Sequence, residues 1–187
     1  MIMAFLDKEV VKNICDLATL TGSFRQTIEE LGLFNMYNGE TGEENYVTPA
    51  AFTVREGKPL IALNFKILEK GFEEMLEILL AEGKSQEEVD ALIASTLGGC
   101  LVHEVTHYYQ WRNGDLVVNE GERWIQWKGK TFHVEVNDMD DYLTRPWEQE
   151  ALRAEYQWLR TYSPFSKINP PKKGFEEGFK RFIDARR

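Results

Sequence analysis

SQEEVDALIASTLGGCLVHEVTHYYQW, residues 85 to 111, decides how the rest of the chain must be arranged. Ser85 with Glu88 three residues on forms a capping-box start, and the helix it opens runs to about Trp111, before Asn113-Gly114. From Ala91 to Val102 nearly every residue is apolar or small, and a helix that is apolar all round is buried on all sides. Gly98 and Gly99 each cost ~1 kcal/mol of helix stability relative to Ala, which suits a close approach by a neighbouring backbone. His103 and His107 therefore sit at the centre of the fold. Four residues apart, they share one helical face and can aim two imidazoles at one ion. Glu104 lies off that face but can reach a water held by the ion. Without a metal, two buried imidazoles would each need other hydrogen-bond partners.

Around this helix the chain has 187 residues, 43% hydrophobic and 28% charged, as expected of one globular domain with a full core. No apolar run approaches the roughly 18 residues that span a membrane. Asp7, Lys8 and Glu9 interrupt the N-terminus where a signal peptide would stay apolar. MIMAFLDKEVVKNICDLATL reads instead as an amphipathic helix, covering 6 to 20, and a cytoplasmic location is expected. Cys15 and Cys100 form no CxxC unit and are expected as buried thiols in a reducing compartment. The net charge of −9 argues against a general nucleic-acid binder. Residues 167 to 187 nevertheless carry +4, leaving −13 on residues 1 to 166. This basic end could dock on an acidic protein partner or on nucleic acid; its plainer reading is the solvated face of a terminal helix.

The remaining elements are coarser. A second helix is expected through FRQTIEELGLF, and NGETGEEN (38 to 45) is a polar loop. AFTVREGKPLIALNF is a β-hairpin turning at Glu56, Gly57 and Lys58, followed by a helix from about Lys66 to Ala81. ERWIQWKGKTFHVEV is a second hairpin turning at Lys128-Gly129, with an acidic loop, NDMDD, after it. Pro146 suits the first turn of a helix running to about Tyr162. Asn169-Pro170-Pro171 breaks the chain before a basic helix over about 173 to 185. The fold class expected is α+β: N-terminal helices over 1 to 45, a core over 46 to 162 and a basic C-terminal helix within 167 to 187.

A catalytic zinc site uses three protein ligands and a water, so a third ligand is needed. HYYQWRN has Gln110 and Asn113 where HExxHxxGxxH would have Gly and His, and a di-iron bundle would need a second ExxH. The helix PWEQEALRAEYQWLR offers Glu148, Glu150 and Glu155. At about 100° per residue, Glu150 falls in the polar arc, whereas Glu148 and Glu155 fall within the apolar one. A carboxylate facing a core needs a cation or donors in front of it. Glu148 is thus the expected third ligand. Glu155 could orient a ligand histidine through its other ring N–H, or pair with an Arg or Lys. His133 and Cys100 are poorer candidates: a hairpin histidine and a small core residue on a crowded helix. Tyr108, Tyr109, Trp111, Trp124, Trp127 and Trp147 are expected in the core.

HEVTH followed by RPWEQEA resembles the glutamate-type zincin metallopeptidases, most closely the small bacterial and phage-encoded ones. Their late helix carries an ExxA signature whose glutamate is the ligand; Ala151 places it at Glu148. IALN (61 to 64) also resembles the strand preceding the helices of such domains. The likeness covers about residues 46 to 160; the chain has no NExxSD, so thermolysin-type substrate contacts do not carry over. It implies a minimal zincin-like domain, with a small antiparallel sheet on the HExxH helix. It further implies zinc on His103, His107 and Glu148, with Glu104 as general base in the hydrolysis of a peptide or protein substrate. Tyr142, Tyr156 and Arg145 are candidate oxyanion donors by type, and one strand of the first hairpin could take an extended peptide along its edge. The competing expectation is a non-catalytic zincin-like module that binds a protein partner.

Overall fold

A computed structural model describes residues 2–37, 48–118, 124–134 and 139–162. The polar loop at 38 to 45, Asn137 and Asp138 of the acidic loop, and the basic helix expected over 173 to 185 lie outside these residues. Among those described the class is α+β. In chain order the elements are β1 (Ile2–Phe5), α1 (Lys8–Leu17), α2 (Gly22–Leu31), β2 (Leu33–Tyr37), β3 (Ala50–Arg55), β4 (Lys58–Leu63) and α3 (Phe65–Ala81). There follow α4 (Gln86–Arg112), β5 (Leu116–Val118), β6 (Trp124–Trp127), β7 (Lys130–His133), α5 (Met139–Thr144) and α6 (Pro146–Thr161).

The central helix α4 begins where its capping box requires. Glu88 N donates to Ser85 Oγ at 3.2 Å, and Ser85 N donates back to the Glu88 carboxylate at 3.0 Å. The helix packs against α6, β3, β5, α2 and α3, which is why its sequence has no polar face through the middle. Gly98 is the tightest point: a Cβ there would stand 2.2 Å from Trp158 of α6 and 2.7 Å from the Ala18 carbonyl oxygen. The main core joins Val11 and Ile14 of α1, Ile28 of α2, Ile61 and Leu63 of β4, Leu101, Val102 and Val105 of α4, and Trp158.

A four-stranded sheet has the order β1-β2-β4-β3, with β2 parallel to β4 and the other pairs antiparallel. Strand β4 lies between two partners. Its Ile61 and Leu63 enter the main core, while Leu60 and Ala62 join Phe34 in a separate apolar cluster. Strand β3 is at the end of this order and packs on α4. Glu56 and Gly57 both have positive φ, 52° and 75°, the backbone of a two-residue type I′ hairpin turn. Lys128 and Gly129, at 48° and 77°, make the same turn between β6 and β7. With β5, these form a second, antiparallel sheet whose Leu116 and Trp127 pack on Trp147 of α6.

Four expectations are corrected. The N-terminus is a helix only from Lys8. Asp7 caps it by accepting from Glu9 N at 2.8 Å, and residues 2–5 extend to pair with β2. The second helix ends at Gly32, whose φ of 75° turns Leu33 and Phe34 into a strand. The main sheet is mixed, because β2 runs parallel to β4, and β5 was not anticipated. Met139, Asp140 and Asp141, expected in a loop, open the short helix α5. Among the described residues, no helix is long and apolar enough to cross a membrane.

Candidate metal centre

Helix α4 presents His103 and His107, and α6 presents Glu148, from elements whose close packing at Gly98 sets their separation. All three side chains are buried. The Nε2 atoms of the two histidines are 3.1 Å apart, and each is 3.1 Å from Glu148 Oε2. Among the described residues these form a cluster of metal-ligating type. Ligands held ~2.0–2.1 Å from a tetrahedral ion would stand about 3.3 Å apart, close to the triangle observed.

The outer hydrogen bonds determine what this triangle can hold. His107 Nδ1 lies 2.8 Å from Gln110 Oε1. The Gln110 amide nitrogen donates to the Trp147 carbonyl at 3.0 Å and to Glu150 Oε2 at 2.9 Å, which fixes its oxygen toward the imidazole. An amide oxygen only accepts, so His107 carries its proton on Nδ1. His103 Nδ1 is 3.2 Å from Glu155 Oε2, and a carboxylate oxygen accepting there likewise selects the Nδ1–H tautomer. Both neutral imidazoles therefore turn lone pairs toward one carboxylate oxygen. Three acceptors converging in a buried space fit a cation. Two imidazoles and a carboxylate suit zinc and also other divalent transition metals.

Without a cation, protons must serve. Burial disfavours charged histidines here. Hydrogen bonds to Glu148 and Glu155 outweigh it at His103, whose pKa rises to about 10, and Glu148 raises His107 in the same way. Burial would likewise raise Glu148, but its bonds to the two imidazoles hold it well below the ordinary carboxylate range.

Glu104 is buried beside the triangle, and burial raises its pKa, the nearby histidines opposing this. Its Oε2 accepts from Phe52 N on β3 at 2.6 Å. Tyr142 of α5 brings its hydroxyl to 3.2 Å from His103 Nε2. The other two candidate donors do not reach this point in the same way. Tyr156 is 49% exposed, and the Arg145 guanidinium is paired with Asp141.

The arcs along α6 match the observed burial: Glu148 is buried, Glu155 is partly covered and Glu150 is exposed. Among the described residues Glu155 meets His103 rather than an Arg or Lys. His133 is exposed on β7, and neither it nor Cys100 belongs to the metal-ligating cluster. Cys15 is a core thiol whose pKa burial pushes up to about 11. Trp127 and Trp147 are core, as expected, while Tyr108, Tyr109, Trp111 and Trp124 are only partly buried. Two contributors were missed, Gln110 and the Phe52 N–H. Gln110 was legible: a polar residue three after His107 falls on the same helical face. The backbone donor leaves no trace in residue type.

Compared with family models, with curated proteins and with solved structures, the chain matches none of them.

Proposed function

We propose that the chain is a zinc-dependent metallopeptidase of zincin-like fold, hydrolysing peptide bonds with Glu104 as general base. The observation that carries this reading is the set of three buried acceptors facing one point, two imidazoles and a carboxylate, with the Glu104 carboxylate beside it. His103, His107 and Glu148 would hold the ion. When bound, zinc supplies Lewis acidity, which makes water a stronger acid and polarises a carbonyl.

The chain's own groups do the rest. Burial keeps Glu104 a better proton acceptor than an exposed glutamate, and the Phe52 N–H holds one of its oxygens. Glu104 takes a proton from water and returns it to the leaving amine. The Tyr142 hydroxyl faces the same point and donates to the developing oxyanion. Gln110 and Glu155 keep the two imidazoles in the tautomer that presents Nε2. Peptide, rather than another amide, is favoured by β3. It ends the four-strand order, and its backbone reaches Glu104 at Phe52, so an extended chain added along it would pass the site.

A second reading, a zincin-like module that binds a protein partner without turnover, draws support from the burial. His103, Glu104, His107 and Glu148 are each under 10% exposed. The test is metal content by elemental analysis, on protein purified without chelator or nickel, joined to a peptide-hydrolysis screen. Wild type should hold near-stoichiometric zinc and cleave, and Glu148→Ala should lose the metal. Glu104→Gln should keep the metal and lose cleavage. Zinc retained with no cleavage of any peptide would favour the binding module. Wild type that takes up no zinc on addition would overturn the catalytic reading and leave two core histidines.

A further inference from the structure

The last turns of α4 carry aromatic rings that the cores of the fold do not use. Glu104, Tyr108 and Trp111 stand at i, i+4 and i+7, one stripe along the helix. Tyr108 and Trp111 are partly buried, with ring centroids 6.2 Å apart, and Trp111 is 6.4 Å from Phe52 of β3. Among the described residues, Phe52 packs on both larger core clusters, whereas Tyr108 and Trp111 belong to neither. The stripe that bears Glu104 thus continues as a partly exposed aromatic surface.

The edge of β3 runs beside this stripe. Arg55 pairs with Lys58 across the two-residue turn, the hydrogen-bonded pair that closes such a hairpin. Pairs alternate along an antiparallel ladder, so Thr53 turns its backbone groups toward β4, while Phe52 and Val54 turn theirs away. The Phe52 N–H accordingly reaches Glu104, and among the described residues no strand pairs with this edge. The Phe52 C=O and both backbone groups of Val54 are directed outward, where an added strand would meet them. Ala50 and Phe52 face the main core, so every second side chain of that strand would face α4 as well.

We propose that Tyr108 and Trp111 form a subsite for one large apolar or aromatic side chain of an extended peptide, two or three residues from the bond at the metal centre. The proposal deepens the peptidase reading and rests on it for the position of that bond. Helical spacing sets the distance. Tyr108 and Trp111 lie about 6 and 10 Å beyond Glu104 along the axis, at ~1.5 Å per residue. An extended chain covers about 3.3 Å per residue, so the side chain that reaches the rings is not adjacent to the bond. Ring faces and edges favour an aromatic or aliphatic partner over a charged one.

The test joins cleavage to binding. Zinc-loaded wild type is given alanine-based peptides in which Phe, Leu, Ser or Glu stands at one position at a time, and mass spectrometry locates the cuts. Phe and Leu should be favoured two or three residues from the cut, by about 10- to 100-fold over Ser in kcat/KM. The same peptides, dye-labelled, are titrated by fluorescence anisotropy against zinc-loaded Glu104→Gln, which requires no turnover. Phe should bind about 10- to 100-fold more tightly than Ser at the favoured position. Trp111→Ala and, separately, Tyr108→Ala should each erase most of that ratio with zinc content kept. Cleavage that prefers Phe next to the cut, or prefers nothing, overturns the subsite and leaves the peptidase reading standing. A Phe preference in binding that both ring variants keep also overturns it. Phe-selective binding that the ring variants erase, with no peptide cleaved, keeps the subsite and removes the peptidase reading. Neither binding nor cleavage overturns both.

Discussion

Glu155 leans on Gly99 while it holds His103: a Cβ at Gly99 would stand 3.1 Å from Glu155 Oε1, and Glu155 Oε2 lies 3.2 Å from His103 Nδ1. The missing side chain on α4 is what allows the carboxylate beneath the imidazole. Gly99→Ala should therefore separate stability from metal affinity. The helix gains up to ~1 kcal/mol of propensity, and Glu155, a flexible side chain, gives way by a few tenths of an ångström. Metal affinity should fall by about tenfold, as for loss of a partner behind a ligand histidine, with the melting temperature of the metal-free protein kept or raised. Gly98→Ala is the contrasting control. Its Cβ would meet the Trp158 ring at 2.2 Å and the Ala18 backbone oxygen at 2.7 Å, so the helix gain is overrun by clash. It should destabilise the whole fold. Equal melting temperatures for the two variants would contradict this account.

Gln110→Leu should weaken the metal site through hydrogen bonds alone. The substitution nearly keeps volume but strips His107 Nδ1 of its acceptor and the Trp147 carbonyl of a donor. Metal affinity should drop about 10- to 100-fold, and stability by ~1–3 kcal/mol for buried polar groups left unpaired. A competition titration with a zinc chelator measures the first and denaturant unfolding the second. An unchanged zinc affinity would mean that His107 does not need Gln110 to present Nε2.

The pKa shifts set opposite pH trends for the metal-free and metal-bound protein. His103, held at about 10 against an ordinary 6.5, binds its proton more tightly when folded. Its stabilising contribution is complete below 6.5 and is lost as pH rises through about 10. Glu148 is shifted the other way, so its contribution is present above the ordinary 4.5 and is lost as pH falls below it. The metal-free protein should lose stability on the alkaline side of 6.5, as denaturation at a series of pH values would show. Zinc needs both Nε2 lone pairs bare, so uptake must expel protons and its affinity should climb over the same range. Calorimetry in buffers of different ionisation enthalpy counts those protons. Uptake with no dependence on buffer would show that the histidines are already neutral.

What was legible in the sequence was local. The Ser85–Glu88 box, Pro146 at the start of α6 and the arcs that separate Glu148 from Glu150 all depend on residues within a few turns of one another. What stayed hidden depends on partners far along the chain. Ile2–Phe5 and Leu33–Tyr37 extend because each pairs with the other, and the parallel pairing of β2 with β4 has no signature inside either strand. Leu116–Val118 is three residues long, too short for a periodic signal, and is a strand because β6 lies beside it. The site divides the same way. Its ligand-type side chains follow from helical spacing, whereas the Phe52 N–H on Glu104 arises from where β3 ends up in the sheet.

Tyr142 provides the most direct test of the catalytic reading. Burial, reinforced by the negative charge of Glu148, pushes its phenol well above the ordinary 10, so it stays protonated and can only help a developing negative charge as a donor. Its hydroxyl lies 3.2 Å from His103 Nε2, at the edge of the ligand triangle. Tyr142→Phe removes that donor and keeps the ring that packs against Arg145. Turnover should fall about 10²–10³-fold, the cost of losing one oxyanion donor, while zinc content and KM stay near wild type. Tyr156→Phe, altered at a 49% exposed position, should leave turnover unchanged. If Tyr142→Phe instead lowers zinc content in step with turnover, the hydroxyl supports His103 and the oxyanion donor lies elsewhere. If it changes neither, the convergence of Tyr142 on the site has no catalytic meaning.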